Sequence, residues 1–393
     1  MRNKQNLCIL NEFQIIENQG GVQTVSCILK EKFEELGYIV FCAHLEQKKQ
    51  SDEREFILPD TSNVNSETNY NFLYDKLTAN NITIVLFQGY SKELMDLCVK
   101  IRKEIPIKLI YTYHRNPRAA QKTYIDYQDR ILNNTKSHIN KFFKRIVIGC
   151  KRIIFNYKCN KEIRHCHSKY DMEYIDAFIS LDESYTEFFK SLYSAKFHHK
   201  FHTISNPIKI IDDKQDFAKE KNILFLARHT YQKRLDRLLC LWKEISVKFP
   251  EWKLVVVGDG EFHQEYKKIA NDLKLEKVEF TGKQVASLYY KKCSIICMTS
   301  SHEGLPMTLI EAQLYNCVPI AYNSFSSANK IIVNNYNGIL VKPFKQKEYS
   351  RELQKLMKDE SRRIVMAQKG KEFIKKFDIN NIIKHWLQLF EKI

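Results

Sequence analysis

Short apolar runs alternate with longer stretches of helical periodicity from the first residues onward. "LCILNEF" (7–13) is strand-like, and a Gly-Gly loop at 20–21 leads into "VQTVSCILKEKFEELG", where Leu29, Phe33 and Leu36 recur at helical spacing. Gly37 closes that helix and "YIVFCAHL" (38–45) returns to strand, so the opening reads as a βαβ unit. "ITIVLFQG" (82–89) and "IKLIYTYH" (107–114) have the unbroken apolar character of buried parallel strands, and "YIDAFISLDES" (174–184) adds another with a polar edge. The polar, Asn-Pro-containing stretch 204–222 predicts a linker. Beyond it the alternation restarts with "ILFLARH", the helix "RLDRLLCLWKEISVKF", "KLVVVGDG", "VEFTGK", "SIICMTS", "CVPIAYNS" and "GILVKP". Two successive runs of alternating strand and helix predict two facing, doubly wound, Rossmann-like α/β domains. The tail "DINNIIKHWLQLFEKI" predicts a final amphipathic helix.

A length of 393 residues suits two domains, and 44% hydrophobic with 12% aromatic residues is the composition of a folded chain. No run of about 20 apolar residues is present, so no spanning helix is expected. The apolar stretch near the N-terminus is broken by Asn6, Asn11 and Glu12, which predicts a first strand and not a signal peptide. Eleven cysteines lack CxxC pairing, which predicts reduced thiols in a cytoplasmic protein.

The net charge of +17 asks for an anionic partner or surface. It is concentrated in 141–164, where eight Lys/Arg and one acid (Glu162) are interleaved with Phe and Ile. Such a segment fits docking on an anionic membrane surface, or an ordinary helix pair with a solvated basic face. No nucleic-acid-binding signature accompanies the charge, so nucleic acid is not expected as a partner. The clusters "HCH" (165–167) and "HHKFH" (198–202) lack structural-zinc spacing and are expected at the surface.

The chemistry concentrates in "SHEGLPMTLIEA" (301–312). Pro306 suits the first position of a helix, whose unpaired N–H groups near Met307 and Thr308 attract phosphate. Glu303 precedes that helix start and Glu311 lies on its second turn, and phosphate would repel both. A ligand with a diphosphate between two hydroxylated rings, such as a nucleotide sugar, satisfies the arrangement. A loop glutamate and an exposed helix glutamate without any ligand is the plainer alternative.

Here the sequence strongly resembles glycosyltransferase family 4, retaining enzymes of the GT-B fold. Glu303 and Glu311 match the E-x7-E element of that family, and "ILFLARHTYQKRLDRLL" matches its upstream signature, with Arg228 and Lys233 at the two basic positions. Gly20-Gly21, "NPI" (206–208), "VVVGDG" (255–260), "FTGK" (280–283) and "YNGILV" (336–341) extend the resemblance over almost the whole chain, more densely in its second half.

The resemblance implies an N-terminal acceptor-binding domain over 1–205 and a nucleotide-sugar-binding domain over 206–375. A C-terminal crossover helix, 376–393, would pack back towards the first domain. It implies that Arg228 and Lys233 neutralise the diphosphate and the leaving group, that Glu303 binds the donor sugar and Glu311 the ribose. Gly20 and Gly21 would let the backbone approach phosphate, Gly282 and Lys283 would lie beside the base, and Gly304, Leu305, Pro306, Met307 and Thr308 would form the phosphate-facing helix start. His114 resembles an H-x-x-P-like histidine that orients sugar hydroxyls. No Asp-any-Asp motif occurs, so neither a metal nor a separate cofactor is expected.

The implied activity is retaining transfer, UDP-sugar favoured, to a glycan or lipid-linked glycan in bacterial surface-polysaccharide (lipopolysaccharide or capsule) synthesis at the inner face of the plasma membrane. The alternatives are a GT-B-like nucleotide-sugar 2-epimerase and a non-catalytic protein that binds anionic surfaces. The chain departs from the commonest family pattern at Ala227 and Arg234, where glycine is frequent, and at Asn329-Lys330, where an acid is common.

Overall fold

The computed structural model describes residues 5–16, 20–46, 53–89, 91–119, 121–122, 147–148, 158, 160–165, 170–210 and 218–393. The chain divides into two compact units. The first joins Met1–Arg115, Cys166–Ile210 and Lys376–Ile393, and the second joins Asn116–His165 and Ile211–Lys375.

The first unit is built on a parallel sheet of β1 (Asn6–Phe13), β2 (Ile39–Glu46), β3 (Glu55–Ile57), β4 (Ile82–Phe87), β5 (Lys108–Tyr113), β6 (Ala177–Ser180) and β7 (Phe201–Thr203), in the order β3-β2-β1-β4-β5-β6-β7. β1 pairs in parallel with both β2 and β4, so the strand order reverses there. Ligands in such sheets bind at that reversal, beyond the carboxyl ends of the strands. The apolar runs become the core: Leu10, Val85, Phe87, Leu109, Tyr111 and Phe178 are buried in it.

Gly20 caps the helix Gly21–Glu35 with φ 152°, and Val25, Leu29 and Phe33 form its buried stripe. Leu36, expected on that stripe, is the C-cap and 45% exposed. The stripe is covered instead by the C-terminal helix Ile379–Lys392, whose Phe390 stacks on Phe33 at 5.4 Å. Residues at the head of the expected linker belong to this packing. Ile204 and Ile208 are buried, and Ile208 N–H donates to the Phe377 carbonyl at 2.8 Å while Ile379 N–H donates back to Ile208 at 2.9 Å.

The second unit carries β8 (Glu220–Leu226), β9 (Lys253–Val257), β10 (Val278–Gly282), β11 (Cys293–Met298), β12 (Val318–Tyr322) and β13 (Ile339–Val341), in the order β10-β9-β8-β11-β12-β13. All pairs are parallel, and the reversal lies between β8 and β11. The helix Leu235–Lys248 buries Leu235, Leu238, Leu239, Trp242 and Ile245, the face its apolar spacing predicts. The two sheets are the Rossmann-like pair expected from the alternating pattern.

The eight described cysteines are free thiols, and six of them are buried. Of the two histidine clusters, "HHKFH" is part of the fold. His198 Nε2 lies 3.0 Å from the Lys190 carbonyl, and His202 is half-buried on β7 with its pKa lowered first by burial. A surface position had been expected for the cluster; His199 is exposed, whereas His198 and His202 are half-buried. The sequence missed this because the short β7 is signalled only by Phe201, among polar neighbours. In the other cluster only His165 lies within the described residues.

Candidate functional site

In the second unit, chain reversal brings the ends of β8 and β11 together. Arg228 lies two residues beyond β8, exposed; its carbonyl accepts from Thr230 N–H at 2.8 Å, and its side chain makes no hydrogen bond or ion pair among the described residues. Lys233 ends the short 3-10 helix Tyr231–Lys233. Its ammonium donates to both carboxylate oxygens of Glu303, at 2.7 and 2.9 Å.

Glu303 is only 6% exposed, and the loop that carries it is stitched to the Lys233 loop by Ser301 N–H to the Gln232 carbonyl (2.9 Å) and by Gln232 Nε2 to the His302 carbonyl (2.6 Å). Thr299 Oγ1 adds a bond to the Arg234 carbonyl at 2.8 Å. Lysine and glutamate, 70 residues apart in sequence, are thus held as one ion pair by backbone contacts on both sides.

The helix that follows is Met307–Leu314, with no acidic residue in its first turn. Pro306 is its N-cap (φ −73°, ψ 98°), one residue earlier than expected, so Met307 is the first helical residue. The N–H groups of a first helical turn have no partner four residues back, which keeps this end suited to an anion. Leu305 and Met307 are buried, Gly304 and Thr308 are half-buried, and the Gly304 carbonyl accepts from Ser327 Oγ. Glu311, on the second turn, accepts from the Tyr290 hydroxyl at 2.9 Å; burial raises its pKa, opposed by that hydrogen bond.

Gly282 ends β10 with φ 69°, its carbonyl accepting from Gly258 N–H at 2.8 Å, and Lys283 beside it is exposed. Arg234 sits in the left-handed region at φ 53°, where glycine would be unstrained. It compensates with a two-pronged ion pair to Asp236, both contacts at 2.9 Å, which explains how arginine is accommodated there. A cavity of about 1030 Å³ shares Arg234 with this loop but opens between helices, and its buried cations are already engaged: Arg234 by Asp236, and Arg237 stacked over Phe344 at 3.9 Å.

His229, next to Arg228, is fully buried with Nδ1 2.9 Å from His263 Nδ1. The backbone on either side of it is clamped by His229 N–H to the Asp259 carbonyl (2.8 Å) and Phe262 N–H to the His229 carbonyl (2.9 Å).

In the first unit, Gly20 and Gly21 form the start of a 15-residue helix that has no acid in its first turn. A Cβ on Gly20 would lie 2.8 Å from Gln23 Oε1. His114 directly follows β5 and is buried against Gln88, which follows β4. Burial lowers its pKa to about 3, with a side-chain hydrogen bond shared with Asn206 of the "NPI" stretch acting the other way. His114 is therefore a neutral imidazole, fit to exchange hydrogen bonds with hydroxyls and not to hold a proton.

Four buried histidines, His44, His114, His229 and His302, have pKa values lowered chiefly by burial, which makes stability pH-dependent. His114 (about 3), His229 (about 4, by burial, then His263) and His302 (about 4, by burial, with Glu303 opposing and Lys122 and Lys233 adding) all sit below the ordinary 6.5. The unfolded chain takes up these protons first, so folding loses stability as pH falls from about 6.5 towards 4, by about 1 kcal/mol at pH 5.5 for each of these three. Thermal unfolding at pH 7.5 and 5.5 should show a clear drop in Tm at the lower pH; an unchanged Tm would mean that the imidazoles titrate normally in the fold.

Sequence reasoning missed Gln232 and Asn116, which lie at unassigned positions inside the 223–239 signature and the H-x-x-P-like element, and Tyr290 and Lys122, which stand in no recognisable local pattern. Of the basic segment 141–164, only 147–148, 158 and 160–164 lie within the described residues. Among the described residues no helix is long and apolar enough to cross a membrane, and no three His, Cys, Asp or Glu side chains form a group able to hold a metal.

Residues 208–373 match the family model "Glycosyl transferases group 1". The chain is similar to an uncharacterised glycosyltransferase of Haemophilus influenzae, 29% identical over 237 residues, 59% of this chain and 66% of the relative. It is also similar to the GalNAc-alpha-(1->4)-GalNAc-alpha-(1->3)-diNAcBac-PP-undecaprenol alpha-1,4-N-acetyl-D-galactosaminyltransferase of Campylobacter jejuni, 27% identical over 207 residues, 51% of this chain and 57% of the relative. The chain spans less than two thirds of the length of either. Among solved structures it is similar to HepE of Anabaena in complex with UDP and glucose, with a TM-score of 0.72 and 13% identity over 99% of this chain and 100% of that one. The fold class is GT-B, and the match to the glycosyl transferases group 1 model covers residues 208–373, less than half of the chain.

Proposed function

We propose that this chain, on the strength of its glycosyl transferases group 1 segment, is a retaining family 4 glycosyltransferase. It takes a sugar from a nucleotide-diphosphate donor, UDP-sugar favoured, and adds it to a glycan or lipid-linked glycan in bacterial surface-polysaccharide synthesis. The observation that carries the reading is the Lys233–Glu303 ion pair at the β8–β11 reversal, beside exposed Arg228 and directly before a helix start free of acids. The Campylobacter relative named for an undecaprenol-linked substrate and the fold relative solved with UDP and glucose support the two substrate classes.

In this reading the helix start Gly304–Thr308 receives the diphosphate, and Arg228 and Lys233 neutralise the charge that grows on the leaving group. Glu303 accepts hydrogen bonds from the donor sugar and Glu311 from the ribose. Gly282 and Lys283 lie beside the base. In the first unit, Gly20 and Gly21 offer backbone to phosphate, and neutral His114 orients sugar hydroxyls. Two cations do the work that a metal ion would otherwise perform, so none is required.

Incubating the protein with a panel of radiolabelled nucleotide sugars and undecaprenyl-diphosphate glycans should transfer label with the anomeric configuration kept, in EDTA as well as without it. Isomerised donor in the absence of acceptor would replace transfer with epimerisation, and complete loss in EDTA restored by Mg²⁺ would overturn the metal-free account.

The segment 141–164 would hold the enzyme at the inner face of the plasma membrane, each cation near an anionic surface contributing about 1 kcal/mol until salt screens it. Lys144→Glu with Arg145→Glu and Lys151→Glu should release it from anionic vesicles at low salt while leaving transfer to a short soluble acceptor. Equal sedimentation of the parent and the triple variant would remove the membrane from the proposal.

A further inference from the structure

We propose that Lys122 is a third phosphate-binding cation of the site around Glu303, taking a diphosphate oxygen of the acceptor or of the donor. The inference rests on the reading of that site given above and adds to it a residue that lies outside the matched segment 208–373.

Lys122 reaches the Glu303 loop through the second unit's own packing. Its ammonium donates to the Ser324 carbonyl at 2.6 Å. Ser324 Oγ in turn donates to the Ser300 carbonyl at 2.8 Å, and Ser327 Oγ donates to the Gly304 carbonyl, so the 324–327 loop is fastened along the strand-to-helix loop 300–304. Six residues before Lys122, Asn116 Nδ2 lies 3.4 Å from the Glu303 carbonyl itself. The loop that presents Glu303 is thus held by Gln232 and Lys233 on one set of contacts, and by Asn116, Lys122, Ser324 and Ser327 on another. His302 feels the charge of both lysines, which places Lys122 and Lys233 around the same short stretch of backbone.

The charge balance points to a missing anion. Among the described residues Lys122 has no carboxylate partner, and its one hydrogen bond goes to a neutral carbonyl. Glu303, the nearest acid on this loop, is already engaged by Lys233 through both oxygens. Burial and the neighbouring Arg118 both disfavour the charged form of Lys122, as expected of an ammonium kept from water without a counter-ion. A lysine used only to bridge to a carbonyl leaves two of its three donors over and keeps a half-buried charge uncompensated. An arriving phosphate oxygen supplies the acceptors and the charge together.

The test uses the full chain with Lys122→Met, Lys122→Gln and Lys122→Arg. Three quantities are read for each: affinity for UDP and for inorganic pyrophosphate, the kcat/KM ratio between a diphosphate-linked acceptor and the same glycan without phosphate, and Tm. Removing a charge-assisted bond to phosphate should cost roughly tenfold or more. If the donor supplies the phosphate, UDP and pyrophosphate affinity fall by that factor in Met and Gln while the acceptor ratio holds. If the acceptor supplies it, the ratio falls and UDP affinity holds. Lys122→Arg should retain most of either, and Tm should change little in all three.

Met and Gln variants within twofold of the parent in both readouts overturn the proposal, as does a loss that follows Tm and is shared by Lys122→Arg. A parent chain that transfers no sugar defeats the functional reading alone, because pyrophosphate affinity still reports on Lys122.

Discussion

Lys233→Ala should lower turnover by roughly 100-fold or more while weakening nucleotide binding far less, since the cation matters most where leaving-group charge develops in the transition state. The variant should also be less stable. It takes away the ammonium that donates to both oxygens of the Glu303 carboxylate, whose side chain is 7% exposed. Breaking a buried pair from one side costs about 3 kcal/mol or more, and since Lys233 is itself 22% exposed, about 2 kcal/mol is a fair expectation.

The two effects separate in a second variant. Adding Glu303→Gln to Lys233→Ala removes the stranded charge and should recover most of the lost stability with none of the lost turnover. Arg228→Ala gives the complementary case: with a side chain exposed and unpaired among the described residues, it should lose turnover with almost no change in Tm. Full turnover in either Lys233→Ala or Arg228→Ala would take that residue out of the mechanism.

Gly258→Ala should cost the second unit about 3 kcal/mol or more, although the substitution adds one methyl group. Gly258 has φ 130°, and a Cβ there would stand 1.9 Å from the Ala227 carbonyl oxygen, a backbone atom that cannot rotate away. Strained φ and a backbone clash act together, and the clash is on the very strand end that leads to Arg228. Gly282→Ala is the control. Its φ is 69° but nothing lies within 4 Å of the added carbon, so only the left-handed strain of about 1–2 kcal/mol applies. Urea unfolding of both variants decides the matter: equal midpoints would show that the β8 and β9 loops yield to each other more freely than their packing implies.

The fold was legible because buried parallel strands announce themselves as apolar runs, and Val85-Leu86-Phe87 or Leu254–Val257 can hardly be anything else. The placement of the candidate residues was legible where they are close in sequence: Glu303 and Glu311 lie on either side of one helix start, and Arg228 and Lys233 follow one strand end. Boundaries were less so. Pro306 is the N-cap of the helix it introduces and not its first residue, and Leu36 is an exposed C-cap and not part of the stripe. Partners distant in sequence were invisible. Nothing around Lys122 foretells Ser324, 202 residues away, and nothing around Tyr290 foretells that its hydroxyl meets Glu311.

The first unit is assembled from three separate stretches of chain, with the helix Ile379–Lys392 laid on the helix Gly21–Glu35. During synthesis this unit is therefore begun first and finished last. After Ile210 emerges, 165 residues must be added before Lys376, a wait of roughly 10–30 s at ordinary elongation rates, during which Phe33 has no Phe390 to cover it. A nascent chain stalled before Lys376 should accordingly be cut by protease in its first hundred residues while the stretch after Ile211 already resists, and the order in which the ribosome delivers the two units is the reverse of the order in which they become complete.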